Sequence, residues 1–113
     1  AVLIHPTLEV GIDIEAPTNR FAKLYTRFLT PNEQQNLVDL SDLRRVQLAW
    51  SAKEALYKII GMDAVDFATQ LEIHNFELAT QGQFKGNHVP TGDNFILNYI
   101  IYEHFNLVYC LKK

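Results

Sequence analysis

Between Ser41 and Gly61 the apolar residues Leu48, Ala52, Ala55, Leu56 and Ile59 recur at steps of three and four, the spacing that gathers them on one face of a long α-helix. A helix with one apolar face needs a surface to lie on, and the chain on either side supplies strands. Val10-Gly11-Ile12-Asp13-Ile14-Glu15 alternates with period two, as a half-buried strand does. Ala1–His5 reads as a buried strand ended by a turn at Pro6-Thr7. Ala16-Pro17-Thr18-Asn19 breaks the pattern, and a short helix follows over Arg20–Phe28, capped by Thr18 or Asn19. Thr30-Pro31-Asn32-Glu33 starts a second helix, with threonine as N-cap, proline at the first helical position and glutamate at the third.

Gly61 suits the end of the third helix. Beyond it, Leu71–Leu78, Gln83–Val89, Phe95–Tyr102 and Asn106–Leu111 read as strands. Their breaks are Thr80-Gln81-Gly82, Pro90-Thr91-Gly92-Asp93-Asn94 and Glu103-His104-Phe105. The order is strands, three helices, then antiparallel strands, an α+β arrangement. With no repeat, low-complexity tract or linker, the 113 residues (1–113) read as one domain.

Composition excludes several function classes. A net charge of −3 gives no basic field for nucleic acid. No apolar run approaches the ~18–20 residues needed to span a bilayer. Ala1-Val2-Leu3-Ile4 is too short for a secretory leader and lacks a basic lead. Cys110 stands in the apolar run Leu107–Leu111 and reads as a buried core thiol, which fits a reducing, cytoplasmic setting. His5, His74, His88 and His104 lack metal-ligand spacing. Gly82, Gly86 and Gly92 mark turns without a phosphate-loop fingerprint. Tyr99, Tyr102, Phe105 and Tyr109 read as sheet packing.

Two stretches carry chemistry. On a strand, Asp13 and Glu15 point to the same side, about 6–7 Å apart at the backbone, with Ile12 and Ile14 expected in the core on the other. Paired carboxylates repel, and a hard divalent cation relieves that repulsion; magnesium takes oxygen ligands and one or two carboxylates. A solvated acidic strand face is the plainer reading of those two residues. On the third helix, Trp50, Glu54 and Lys58 fall in line at successive turns, flanked by Ser51 and Tyr57. Two aromatics on that side need a covering surface. If it is the Asp13/Glu15 strand, Glu54 completes a metal shell and Lys58 meets a phosphate as a point charge.

Gly11-Ile12-Asp13-Ile14-Glu15, Arg27-Phe28-Leu29-Thr30-Pro31-Asn32-Glu33 and Trp50-Ser51-Ala52-Lys53-Glu54-Ala55-Leu56-Tyr57-Lys58 together resemble the 4'-phosphopantetheinyl transferase superfamily in order and spacing. The match is closest to the surfactin-synthetase type, whose strand reads G-[IV]-D-[IV]-E and whose helix reads W-x-x-K-E-x-x-x-K. The resemblance implies a transferase that moves phosphopantetheine from coenzyme A to a serine of an acyl or peptidyl carrier protein. It implies that Asp13, Glu15 and Glu54 hold magnesium against the pyrophosphate. Lys58, and with it Lys53, would neutralise phosphate charge. Glu54 and Glu33 are the candidate bases for the acceptor serine, although Glu33 also reads as the closing half of a capping box with Thr30. The same resemblance makes Arg20, Lys23, Arg27, Arg44 and Arg45 the place where an acidic carrier helix would dock; solvated helix charges are the alternative.

Surfactin-type enzymes resemble two similar halves, with the metal motifs in the second and a Ser-His-Ser/Thr motif in the first. That motif is absent here, and Ala1–His5 looks like the strand that would follow it. The chain is therefore expected to be a C-terminal half that needs a second half-domain, or a homo-oligomer, to complete the cofactor cleft. Two other functions fit the same residues: a non-catalytic carrier-binding or assembly module, and a metal-dependent phosphate hydrolase.

Overall fold

The two ends of the described chain lie side by side. Strand β1 (Glu9–Glu15) pairs antiparallel with β5 (Asn106–Lys112), with Asp13 opposite Val108 and Glu15 opposite Asn106. The computed structural model describes residues 9–16, 18–60 and 66–112. The predicted Ala1–His5 strand, the Pro6-Thr7 turn and the Gly61 stop lie outside the described residues.

After β1 come α1 (Phe21–Leu24), a 3-10 turn over Tyr25–Arg27, α2 (Pro31–Leu37), α3 (Arg44–Ile60) and a one-turn α4 (Phe67–Gln70). Strands β2 (Leu71–Ile73), β3 (Gln81–His88) and β4 (Asp93–Ile101) then complete a five-stranded antiparallel sheet in the order β1-β5-β4-β3-β2. The α+β class holds. The helix predicted over Arg20–Phe28 is split between α1 and the 3-10 turn, and the Arg20 N–H is met by the Thr18 hydroxyl at 3.2 Å. The short α4, started by the Asp66 carboxylate on the Ala68 N–H, is an addition.

The predicted strand Leu71–Leu78 is cut short at Ile73, because side chains pull the following segment out of line. Arg45 reaches Asn75 and the Phe76 carbonyl, and the Tyr99 hydroxyl donates to the Glu77 carbonyl and accepts from the Ala79 N–H. Phe76 is thereby laid flat on Phe84, with ring centroids 4.2 Å apart. The other breaks move slightly: Gln81 and Gly82 join β3, and Asp93 and Asn94 join β4. Gly92 holds φ +76 in the turn between them, where a side chain would be strained.

Helix α3 lies across one face of the sheet and touches β1, β5 and β2. Val46, Leu48, Ala49, Ala52, Leu56 and Ile59 fill the core with Leu97, Val108 and Cys110. Burial pushes the Cys110 thiol up to about 11, as an inert core cysteine requires. The faces of β1 are the reverse of the expectation that Ile12 and Ile14 enter the core. Ile14 is 41% exposed and Ile12 half-buried on the open side of the sheet, whereas Asp13 is 8% exposed under the helix. Gly11 is the reason. A Cβ there would collide with the Ala55 carbonyl, so only the side carrying Gly11, Asp13 and Glu15 admits the helix backbone.

Candidate functional site

Because α3 lies on that side, its Trp50 and Lys58 meet the acids of β1. The Trp50 indole N–H donates to Glu15 Oε1 at 3.2 Å, joining residues 35 apart in sequence. Phe21, Phe28 and Phe67 surround the Trp50 ring at centroid distances of 6.0, 5.1 and 5.7 Å. Two turns further along the helix, Lys58 Nζ donates to the Ile12 carbonyl at 2.7 Å and reaches Asp13 Oδ1 at 3.5 Å. Between these two ties sits Glu54, half-buried.

The electrostatics show crowding of negative charge. Burial and the charge of Asp13 hold the Glu15 carboxyl above the usual glutamate range, against the pull of the Trp50 hydrogen bond. Burial likewise raises Glu54, with Asp13 and Glu15 adding to it and Lys58 opposing. Asp13 Oδ2 is buried and has no hydrogen-bond partner among the described residues. An acceptor-only oxygen in that state calls for a cation or a donor. Glu15 and Glu54, both raised, and Asp13, with its orphaned buried oxygen, are oxygen donors of the kind a hard ion such as magnesium takes. Among the described residues, no three of His, Cys, Asp and Glu stand together as a group that could hold a metal ion. The Lys58 ammonium supplies the positive charge beside Asp13.

Next to Glu54 opens a cavity of about 390 Å3 lined by Arg20, Phe21, Leu24, Phe28, Trp50 and Phe67, with Arg27 on its wall. It is aromatic within and basic at the margin. A larger hollow of about 670 Å3 lies on the opposite face of the sheet, among Gln83, Asn94, Ile96, Asn98 and Leu111, and brings no cluster of charges together. Within the predicted basic cluster, Arg20 and Arg27 adjoin the aromatic cavity. Arg44 is instead paired with Asp42 at 2.7 Å, and Arg45 is turned to Asn75 and Phe76.

Glu33 and Lys53 sit together elsewhere. Lys53 Nζ donates to Glu33 Oε1 at 2.9 Å and to the Phe28 and Phe67 carbonyls, each at 2.7 Å, which uses all three of its hydrogens. Glu33 closes the capping box with Thr30 and accepts from the Ile73 N–H at 2.8 Å. As they stand, neither side chain has an open face toward Asp13. Sequence reasoning passed over Gln47, a buried amide that ties α3 to the chain leaving β1. Its signal was a polar residue inside the apolar run Val46–Trp50.

Residues 9–110 match the model of the 4'-phosphopantetheinyl transferase superfamily, and the chain belongs to that family. No curated protein matches the chain. No helix among the described residues is long and apolar enough to cross a membrane.

Proposed function

We propose that this member of the 4'-phosphopantetheinyl transferase superfamily moves 4'-phosphopantetheine from coenzyme A to a serine of an apo carrier protein, with magnesium held by Asp13, Glu15 and Glu54. The observation that carries the reading is the meeting of β1 and α3: an acidic strand face, an acidic helix position and an orphaned carboxylate oxygen share one junction. Magnesium, when bound, would screen the pyrophosphate charge and stabilise the oxygens of the transferring phosphoryl group.

The chain's own residues do the rest. The serine oxygen forms a bond to the phosphorus that carries pantetheine, while the bond from that phosphorus to the bridging oxygen breaks and 3',5'-ADP leaves. Glu54, whose carboxyl is raised by burial, is the better-placed base for the serine proton. Lys58 is half-exposed and its ammonium can turn from the Ile12 carbonyl to a phosphate, where it would offset charge on the leaving group. Lys53 and Glu33 take a different part: they brace the elements beneath the site, since a role at phosphate or serine would require each to abandon its buried partners. The aromatic cavity with Arg20 and Arg27 at its margin would receive the acidic helix of the carrier beside Glu54.

The apolar open face of β1 and β5, with Ile12, Ile14, Leu107 and Leu111, supports the reading that a second half-domain or another copy covers the sheet. A buried free thiol at Cys110 suits a reducing, cytoplasmic setting. The test is mass analysis of an apo carrier protein after incubation with coenzyme A, magnesium and the protein. A gain of one phosphopantetheine on the carrier serine, lost in Asp13→Ala, supports the transferase. Free phosphopantetheine without carrier modification would mark a hydrolase, and carrier binding with neither product a non-catalytic module.

A further inference from the structure

The ladder between β1 and β5 ends at the pair Glu15–Asn106, so the sheet does not hold the chain beyond Glu15. One side chain takes over there. Gln47 is 3% exposed; its Nε2 donates to the Ala16 carbonyl at 2.7 Å and its Oε1 accepts from the Thr18 N–H at 3.4 Å. A buried amide is costly unless both its ends are used, and here both are used on the backbone that leaves Glu15. One turn along α3 from Gln47, Trp50 takes the Glu15 carboxylate itself at 3.2 Å. Helix α3 thus holds Glu15 twice, by the backbone just after it and by its carboxylate. At the other end of the strand Gly11 seats against Ala55, so Gln47 and Ala55, two turns apart on the helix, set where the acidic face lies.

We infer that Gln47 is a positioning residue: by clamping Ala16 and Thr18 to α3 it keeps the Glu15 carboxylate on Trp50 and in place beside Asp13. The inference rests on the reading of Glu15 as a magnesium ligand only for its functional consequence; the clamp itself can be read without metal. A group that orients a metal ligand typically changes affinity about 10- to 100-fold when removed, and a displacement of ~1 Å at a reacting centre costs about 100-fold. A lysine or glutamate at position 47 could not reproduce the clamp, because each supplies only one of the two hydrogen-bonding roles.

Trp50 is the single tryptophan of the chain, so its indole N–H gives one unambiguous signal in a nitrogen-15 NMR spectrum. In the wild-type protein that proton should exchange slowly and shift in Glu15→Gln. In Gln47→Met, which keeps the shape and loses both hydrogen bonds, the proton should shift likewise and exchange at least about tenfold faster. Gln47→Glu keeps an acceptor for Thr18 and loses the donor to Ala16, and should fall between the two. A folded Gln47→Met or Gln47→Glu with the wild-type indole shift and exchange rate overturns the inference. Should neither variant fold, native-state exchange of the wild type decides: Thr18 and indole protons opening together support the clamp, and independent opening overturns it. Magnesium titrated with coenzyme A present separates the two readings. A wild type that ignores magnesium sinks the metal site and leaves the indole result to judge Gln47. A wild type that binds magnesium no better than Gln47→Met sinks the positioning role alone.

Discussion

Lys53 Nζ lies 2.9 Å from Glu33 Oε1, with the lysine side chain fully buried and the glutamate 1% exposed. Burial pulls the Lys53 ammonium below the usual lysine range while Glu33 pulls it back. Around this pair meet the end of the 3-10 turn, the cap of α2, the start of α4 and the end of β2. Removing one member leaves a buried charge without its partner, which typically costs about 3–5 kcal/mol. Lys53→Met and Glu33→Gln are each expected to lose stability on that scale in urea unfolding. The double variant should cost less than the sum, by roughly 1–3 kcal/mol. Additive losses would show that the two are not a coupled pair.

Gly11 gives a second prediction, because the space beside it is taken by the Ala55 carbonyl. Gly11→Ala must push β1 off α3, and backbone cannot yield as a flexible side chain does. Overpacking of this kind costs about 1–3 kcal/mol or more. Since Asp13 and Glu15 ride on the same strand, the variant should also lose magnesium affinity even where it remains folded. Gly92→Ala, strained by its φ but far from the acids, should lose stability without that effect on the metal.

A pH dependence follows from the start of α3. The Asp42 carboxylate accepts from the Arg44 guanidinium at 2.7 Å and from the Arg44 backbone N–H at 3.2 Å, and these contacts bring its pKa down to about 2. Because the folded-state value lies below the usual aspartate value of 3.8, the unfolded chain binds more protons in between. Stability from Asp42 is therefore complete above pH ~4 and is lost as the pH falls toward 2. The group is solvent-facing, so the gain is held to about 0.5–1 kcal/mol. Asp42→Ala should lower Tm by roughly 2–4 °C at pH 7 and by much less near pH 2.

What could be read in advance was what depends on neighbours in sequence. Thr30, Pro31 and Glu33 encode a capping box within four residues, and it forms. The line Trp50–Glu54–Lys58 follows from helical geometry, and two of its members meet β1. What stayed hidden depends on residues far apart. Ile-Asp-Ile-Glu alternates equally well with either face inward, and the collision at Gly11 that chooses between them involves Ala55. Lys53 looks like one more charge beside Glu54 until the Phe28 and Phe67 carbonyls are seen to enclose it. The short β2 reflects Tyr99 and Arg45 reaching in from other elements, which no local propensity reports. Gln47 was passed over for the same reason, since a lone glutamine within an apolar helix shows no partner in its own neighbourhood.

The most direct test titrates magnesium into the protein by calorimetry with coenzyme A present, for the wild type and for Asp13→Ala and Glu54→Ala. If strand and helix carboxylates share one ion, the wild type binds it and each variant weakens binding at least about tenfold, with far-ultraviolet circular dichroism unchanged. Wild-type affinity retained in a folded Glu54→Ala protein would contradict the account, because the helix would then have no part in holding the metal.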